Sequence, residues 1–137
     1  MSTAKTVNIP ALVARILLGL IYFVFGLNFF LKFIPQGAPP TGVAGAFVGG
    51  LFQAGYFFPL LKVIEVLGGA LLLLGRYIPL VLVVLMPISV NILLFHTILE
   101  PGGLPITISL LILISQLYLA WVYRASYKAL FVAKPAF

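Results

Sequence analysis

Four long apolar stretches alternate with short polar or Gly- and Pro-rich connections along the chain. They cover residues 11–33, 57–75, 77–99 and 104–123. Each stretch has about 20 residues, and an α-helix of that length, at ~1.5 Å per residue, crosses a hydrocarbon core of about 30 Å. The pattern therefore predicts an all-α integral membrane four-helix bundle, in which residues 1–137 form a single four-span transmembrane domain.

The connection between the first two stretches has a different composition. More than half of residues 36–55 are Gly, Ala or Pro, and Pro39-Pro40 interrupts any helix there. The part from Val43 to Phe52 is compatible with a short interfacial or re-entrant helix, and equally with a surface loop. A re-entrant path requires that protein or a water-filled cavity covers the backbone.

Composition supports the membrane prediction. Hydrophobic residues make up 64% of the 137 positions and charged residues only 7%, whereas about a quarter of a soluble domain is charged. The sequence has no cysteine, which excludes disulfides, thiolate metal sites and dithiol chemistry. The net charge is +6, but the basic residues lie at the ends of the spans. This placement indicates that the positive charge serves contacts with anionic lipid headgroups and sets the membrane topology. We therefore expect no nucleic acid partner.

The distribution of basic residues predicts the orientation. With four spans, the N-terminus, the short connection between spans two and three and the C-terminus share one side of the membrane. That side holds six of the eight basic residues: Lys5, Arg15, Arg76, Arg124, Lys128 and Lys134. Because loops rich in Lys and Arg remain in the cytoplasm, we expect both termini to be cytoplasmic.

Polar side chains in or beside the spans are costly in lipid and are the first functional candidates. The candidates are Asn28, Lys32, Lys62, Glu65, Asn91, His96 and Glu100, with Ser89 and Gln116 as further polar positions. Most of them lie in the outer half of the predicted bundle. Asn28 shares a helix face with Lys32, four residues further on, and the same spacing relates His96 to Glu100.

Glu65 is the most informative candidate because it is the acid deepest within a span. A bare carboxylate there is disfavoured, so it must be protonated, paired or hydrogen-bonded. One interpretation is an outward-opening binding or proton-handling site that includes Lys62. The alternative is a structural polar clasp that fixes helix register, for example Glu65 with Asn91. A contact with a partner subunit is a third reading.

The remaining polar residues have simpler interpretations. His96 beside Glu100 is typical of an interfacial histidine, and one histidine with one acid is a poor metal site, so no metal is predicted. Gln116 predicts an interhelical hydrogen bond. The sequence contains no nucleophile motif, phosphate loop or nucleotide fingerprint, so the residues identify no catalytic group and leave open whether the protein is an enzyme.

A set of short motifs lies at residues 14–21 and 25–28, 55–56, 59–65, 68–69 and 73–76, 87–96, 100–101, 118–121, 123–124 and 127. Together these motifs resemble the DoxX family of small bacterial membrane proteins. The combination of K-x-x-E at Lys62 and Glu65 with P-x-x-x-N-x-x-x-x-H from Pro87 to His96 is fairly specific. The resemblance implies a four-helix bundle in the bacterial plasma (inner) membrane, in agreement with the pattern of apolar stretches.

The chemistry that this resemblance implies is limited. The family takes its name from subunits linked to quinol oxidation and thiosulfate:quinone oxidoreduction, so quinone is the candidate cofactor, although none follows from the residues themselves. Because the sequence lacks cysteine, a quinone-linked role would rest on noncovalent binding, and Glu65, Asn91 and His96 are the positions to test.

Three functional readings follow. The first is an accessory subunit that binds a quinone, lipid or other hydrophobic molecule in an outward-facing polar pocket beside a redox partner. The second is a transport or proton-handling protein in which Glu65 titrates. The third is a structural subunit held by a polar clasp. Besides the lipid bilayer, the expected partners are a subunit of a redox complex or further copies of the chain.

Overall fold

The computed structural model describes residues 8–35, 37–101 and 103–134. The main helices are α1 (Ile9–Leu31), α2 (Gly42–Gln53), α3 (Phe57–Leu74), α4 (Ile78–Leu94) and α5 (Gly103–Val122). A π-helical turn (Phe95–Leu99) extends α4, and a short 3-10 helix (Arg124–Phe131) follows α5. Within these ranges four helices are long and apolar enough to cross a membrane: α1, α3, α4 with its π turn, and α5. The predicted all-α four-span fold is confirmed.

Capping residues and left-handed residues set the helix ends, and they shift the predicted spans by one or two positions. The Ala11 N–H donates to Asn8 Oδ1 at 3.1 Å, so α1 begins earlier than predicted. It also ends earlier, because Lys32 has a φ of 53°, which a right-handed helix does not allow. Tyr77 (φ 55°) delays the start of α4, and Gly75 (φ 73°) ends α3.

Glycines let α1 and α3 pack at very short range. A Cβ on Gly69 would lie 2.5 Å from the Phe23 nitrogen and 2.8 Å from the Gly19 oxygen, both of which belong to α1 backbone. One on Gly26 would lie 2.8 Å from Cγ2 of Val66. Small residues allow such close backbone approach in membranes, where packing rather than the hydrophobic effect holds helices together.

The four spans form a ring in which α1 packs against α3 and α5, and α4 packs against α5 and α3. Much of the interior of this ring is apolar. Its fully buried side chains include Leu18, Leu72, Leu82, Leu85 and Leu119. Dispersion contacts among such branched side chains are the main source of stability in a bundle surrounded by lipid.

The connection after α1 forms a helix, so the helical alternative for residues 43–52 is confirmed. This helix, α2, packs against α3 and against the π turn that extends α4. Aromatic contacts hold it there, with ring centroids 6.1 Å apart for Phe47 and Phe95 and 5.0 Å apart for Phe52 and Phe58. We call this end of the bundle the α2 end and the opposite end the basic end.

The basic end carries the 3-10 helix. Tyr127 in this helix donates a hydrogen bond from its hydroxyl to the Pro79 carbonyl at 2.8 Å, and burial raises the pKa of the Tyr127 phenol. The Arg124 guanidinium lies 4.3 Å from the Trp121 ring centroid and donates to the Trp121 carbonyl. The Tyr127 hydrogen bond fixes the segment after α5 against the start of α4, and the Arg124 contacts fix it against the end of α5.

Candidate binding cavity

A chain of buried polar groups crosses the middle of the bundle and joins three spans. The Ser89 hydroxyl of α4 is hydrogen-bonded to the Tyr22 hydroxyl of α1 and donates to Oε1 of Gln116 in α5. Gln116 Nε2 then donates to the Leu82 carbonyl at 2.7 Å. We call Tyr22, Ser89 and Gln116 the clasp. The interhelical hydrogen bond predicted for Gln116 is confirmed.

A cavity of about 370 Å³ lies between this clasp and the α2 end. All four spans contribute to it. Its polar lining residues are Tyr22, Lys62, Glu65, His96 and Ser109, and its apolar lining residues are Ile21, Phe25, Ile92, Pro105, Ile108 and Ile112. An apolar chamber with a few convergent polar groups is the usual form of a small-molecule site.

Glu65 is the acidic residue of this cavity and is deeply buried. Its side chain is only 4% exposed, and its Oε1 lies 3.4 Å from Lys62 Nζ. Both residues belong to α3, where a spacing of three places them on one face. Because the pair is confined to one helix, it neutralises the carboxylate without tying that helix to another.

His96 reaches the cavity from the π turn. Its Nδ1 atom is buried and has no hydrogen-bond partner among the described residues. The Phe95 ring packs edge-on against it, with centroids 5.1 Å apart. π-helical turns are frequent at functional sites because they redirect side chains. A buried ring nitrogen without a partner is unfavourable unless a ligand or water completes its bonding.

Asn28 and Lys32 lie outside this cavity. Asn28 borders a larger space of about 710 Å³ beneath the connection to α2, but its Oδ1 already accepts the Ile34 N–H at 2.7 Å. Lys32 is the exposed residue after α1. The side-chain oxygen of Asn28 is therefore engaged in the turn after α1, whereas only one of the two oxygens of the Glu65 carboxylate has a described partner.

Asn91 and Glu100 are exposed. The Glu65–Asn91 clasp considered above is therefore wrong: the described partner of Glu65 is Lys62, and Asn91 faces the outside of the bundle. The reason is helical geometry. Five residues separate Asn91 from His96, which at 3.6 residues per turn rotates them about 140° apart. Ile92, four residues before His96, occupies the cavity face instead.

Two polar residues of the cavity lining, Tyr22 and Ser109, were not among the sequence candidates. Tyr22 reads as one more aromatic residue in an apolar span, although its position near the middle of α1, far from either interface, is a usable signal. Ser109 reads as a neutral helix residue, and its hydroxyl donates to the Pro105 carbonyl one turn earlier at 2.7 Å. Neither residue carries a charge that would single it out.

Together these groups can bind the polar head of an otherwise apolar molecule. The Lys62 ammonium donates hydrogen bonds, and the second oxygen of Glu65 accepts them. His96 can do either, according to its tautomer. The same groups can also accept or release protons, whereas no nucleophile with an adjacent base is apparent among them.

Comparison with known proteins places this bundle in a family. No curated protein and no solved structure gives a significant match to the chain. The family model for DoxX matches residues 11–97. This range includes most of α1, all of α2, α3 and α4, and the cavity residues Lys62, Glu65 and His96. Since this match covers more than half of the sequence, the chain belongs to the DoxX family.

Proposed function

We propose that this protein binds a small amphipathic molecule of the quinone type in the cavity at the α2 end, as a non-catalytic or accessory subunit of a membrane redox process. The observation that carries the proposal is the placement of Glu65, Lys62 and His96 around one mainly apolar chamber within the membrane-spanning part. Charged groups at membrane depth are costly, and they typically mark a binding or proton pathway.

The described hydrogen bonds that join the spans come from the clasp and not from Glu65 or Lys62. The clasp already joins α1, α4 and α5 through satisfied hydrogen bonds. The Lys62–Glu65 pair lies within α3 alone. A purely structural role therefore explains the clasp well and explains Glu65 poorly, which favours a ligand as the reason for the buried carboxylate.

The mixture of groups suits a ring with oxygen substituents. A quinone presents two acceptor oxygens, and its reduced form presents two hydroxyl donors. The Lys62 ammonium can donate to the former and the Glu65 carboxylate can accept from the latter. Apolar side chains such as Phe25 and Ile108 provide the surroundings that the ring and its tail require.

The family supports the redox link. Its name comes from subunits associated with quinol oxidation and thiosulfate:quinone oxidoreduction. The sequence contains no cysteine, so any part in such a reaction would consist of holding a reactant without covalent chemistry. A partner subunit would carry the electron-transferring centre.

We further propose that the membrane is the bacterial plasma membrane and that the cavity opens toward its outer side. Six of the eight basic residues belong to the side that contains both termini and the connection between α3 and α4. The positive-inside rule assigns that side to the cytoplasm, and the α2 end then faces outward.

Proton handling is the second candidate, and it rests on the same buried carboxylate. Glu65 lies beside Lys62, and His96 lines the same cavity. If a proton moves through this site, Glu65→Gln abolishes a pH-driven flux in vesicles that contain no quinone. A flux that persists in the variant, or no flux in the wild type, excludes this candidate.

The test of ligand binding uses the two acidic residues of the sequence as a matched pair. Glu65 is buried in the cavity, and Glu100 is exposed beyond the π turn. We expect protein purified gently from its native membranes to retain a stoichiometric small molecule in native mass spectrometry. Glu65→Gln should lose this molecule, while Glu100→Gln should keep it.

Added probes define the ligand class. A short-tailed benzoquinone and its quinol are titrated into wild type and both variants in nanodiscs, with Trp121 fluorescence as a report on folding. Saturable binding that only Glu65→Gln weakens supports the proposal. An empty wild type that binds neither probe, together with a well-folded Glu65→Gln variant, would rule it out.

A further inference from the structure

The P-x-x-x-N-x-x-x-x-H motif specifies two polar residues, and only His96 lines the cavity, whereas Asn91 does not. Its side chain is exposed on α4, in a stripe whose other members include Val83, Pro87, Val90 and Leu94. The stripe continues with Thr97, but the Thr97 hydroxyl donates to the Leu93 carbonyl at 2.8 Å. The carboxamide of Asn91 is thus presented on an otherwise apolar outer surface.

The depth of Asn91 places this amide within the hydrocarbon layer. It lies 13 residues after Ile78 and eight before Leu99, the ends of this span. At ~1.5 Å per residue these separations are about 20 Å and 12 Å. Lipid headgroups and bulk water do not serve as partners at that depth, and an unsatisfied amide in hydrocarbon costs several kcal/mol.

A second polar group lies on the same stripe. Pro87 has no N–H, so it cannot donate to the Val83 carbonyl one turn earlier. Val83 is 47% exposed, which leaves this turn of backbone beside the surface that carries Asn91. Freed backbone groups of this kind in membrane helices are usually covered by a neighbouring helix.

We propose that this stripe of α4, which we call the Asn91 face, is the contact between two copies of this chain. A carboxamide has both a donor and an acceptor, so two Asn91 side chains that meet at a two-fold axis complete each other with a reciprocal pair of hydrogen bonds. The face is uncharged and carries branched apolar side chains, and both features suit close packing with an identical surface.

The Asn91 face is separate from the cavity. Ile92 and His96 direct their side chains into the cavity, whereas Asn91 lies on the outer surface of the same helix. Dimer formation and ligand binding are therefore independent of each other. Loss of the dimer would leave the cavity intact, and an empty cavity would leave the dimer interface intact.

Because the sequence has no cysteine, single cysteines can map this face without background. We would introduce Leu94→Cys on α4, Leu67→Cys on α3 and Leu117→Cys on α5, all at exposed positions (46%, 59% and 52%). Each protein is reconstituted in vesicles at low density and treated with a short bifunctional thiol reagent. We expect linked dimers with Leu94→Cys and a background level with the other two.

The role of the amide is tested by adding Asn91→Leu to the Leu94→Cys protein. Interhelical hydrogen bonds of this type contribute modestly, so we expect about tenfold weaker dimerisation in a vesicle dilution series, with unchanged thermal unfolding of the monomer. Thr97→Val on the same face serves as the matched control and should keep the dimer.

Three outcomes would overturn the proposal. The first is equal linking at all three positions, which indicates random collision. The second is a dimer that Asn91→Leu does not weaken. The third is linking of Leu94→Cys to a different protein in native membranes, with monomers alone after purification, which would assign the Asn91 face to another subunit.

Discussion

The clasp and the cavity lie next to each other in one bundle and share Tyr22, but they differ in how fully their polar groups are satisfied. In the clasp, Ser89 and Gln116 are fully buried and each has hydrogen-bond partners on other spans or other turns. In the cavity, the carboxylate of Glu65 meets a lysine of its own helix at 3.4 Å, and His96 has a buried Nδ1 without a described partner.

This difference separates two uses of polar residues within a membrane. A satisfied network between helices stabilises one packing arrangement and one register. A group that keeps unused hydrogen-bonding capacity beside a cavity contributes little to packing and is available to a ligand. If the distinction is correct, variants of the clasp will change stability while variants of the cavity change binding.

The largest expected effect comes from Gly69, because it sets the spacing between α1 and α3 on which both regions depend. In Gly69→Ala the new Cβ would meet the Phe23 nitrogen at 2.5 Å and the Gly19 oxygen at 2.8 Å. These atoms are backbone and cannot move aside without separating the helices. We expect loss of the folded protein from the membrane fraction, or a cost of more than about 3 kcal/mol.

Gly49 of α2 provides the control for this substitution. A Cβ at Gly49 meets no atom within 4 Å, so Gly49→Ala should leave expression and thermal unfolding in detergent unchanged. Equal stability of Gly69→Ala and Gly49→Ala would contradict this prediction. It would mean that the close contact of α1 with α3 does not set the position of α1, to which Tyr22 belongs.

The next effect separates the two regions. Gln116→Leu removes the acceptor of the Ser89 hydroxyl and the side-chain donor to the Leu82 carbonyl, while Ser89 keeps its bond to Tyr22. Each buried hydrogen bond contributes about 1 kcal/mol, so we expect a loss of about 2 kcal/mol in reversible unfolding. Ligand occupancy of the folded fraction should be retained. A variant that unfolds normally but loses its ligand would assign Gln116 to the cavity instead.

Much of this architecture can be predicted from the sequence. The length of the apolar stretches gave the four spans, because only a helix satisfies its backbone in lipid. The ends were displaced where single residues such as Lys32 and Tyr77 take left-handed conformations, which apolarity does not encode. Gln116 could be assigned to an interhelical bond because a buried amide requires one.

The candidate site was predicted less completely. The sequence indicates how deep a side chain lies in the membrane, but it indicates less clearly whether that side chain points into the bundle or outward. Lys62, Glu65 and His96 line one cavity, whereas Asn91 lies at a suitable depth and faces outward. Its five-residue separation from His96 already places the two on different faces of a helix. Tyr22 could not be paired with Ser89 in advance, because that contact joins positions 67 residues apart.

The smallest expected effect tests whether the Lys62–Glu65 pair serves the cavity and not the fold. Lys62→Met removes the cation and leaves the Glu65 carboxylate, 4% exposed, without compensation. Because Lys62 itself is 22% exposed, solvent reduces the loss, and we expect about 1 kcal/mol. The double variant Lys62→Met/Glu65→Gln removes the charge as well and should recover the wild-type stability.

Lys32→Met, at the exposed end of α1, is the matched control and should change neither stability nor ligand occupancy. A double variant less stable than Lys62→Met alone would mean that Glu65 holds the bundle together, and the contrast between the clasp and the cavity would then fail.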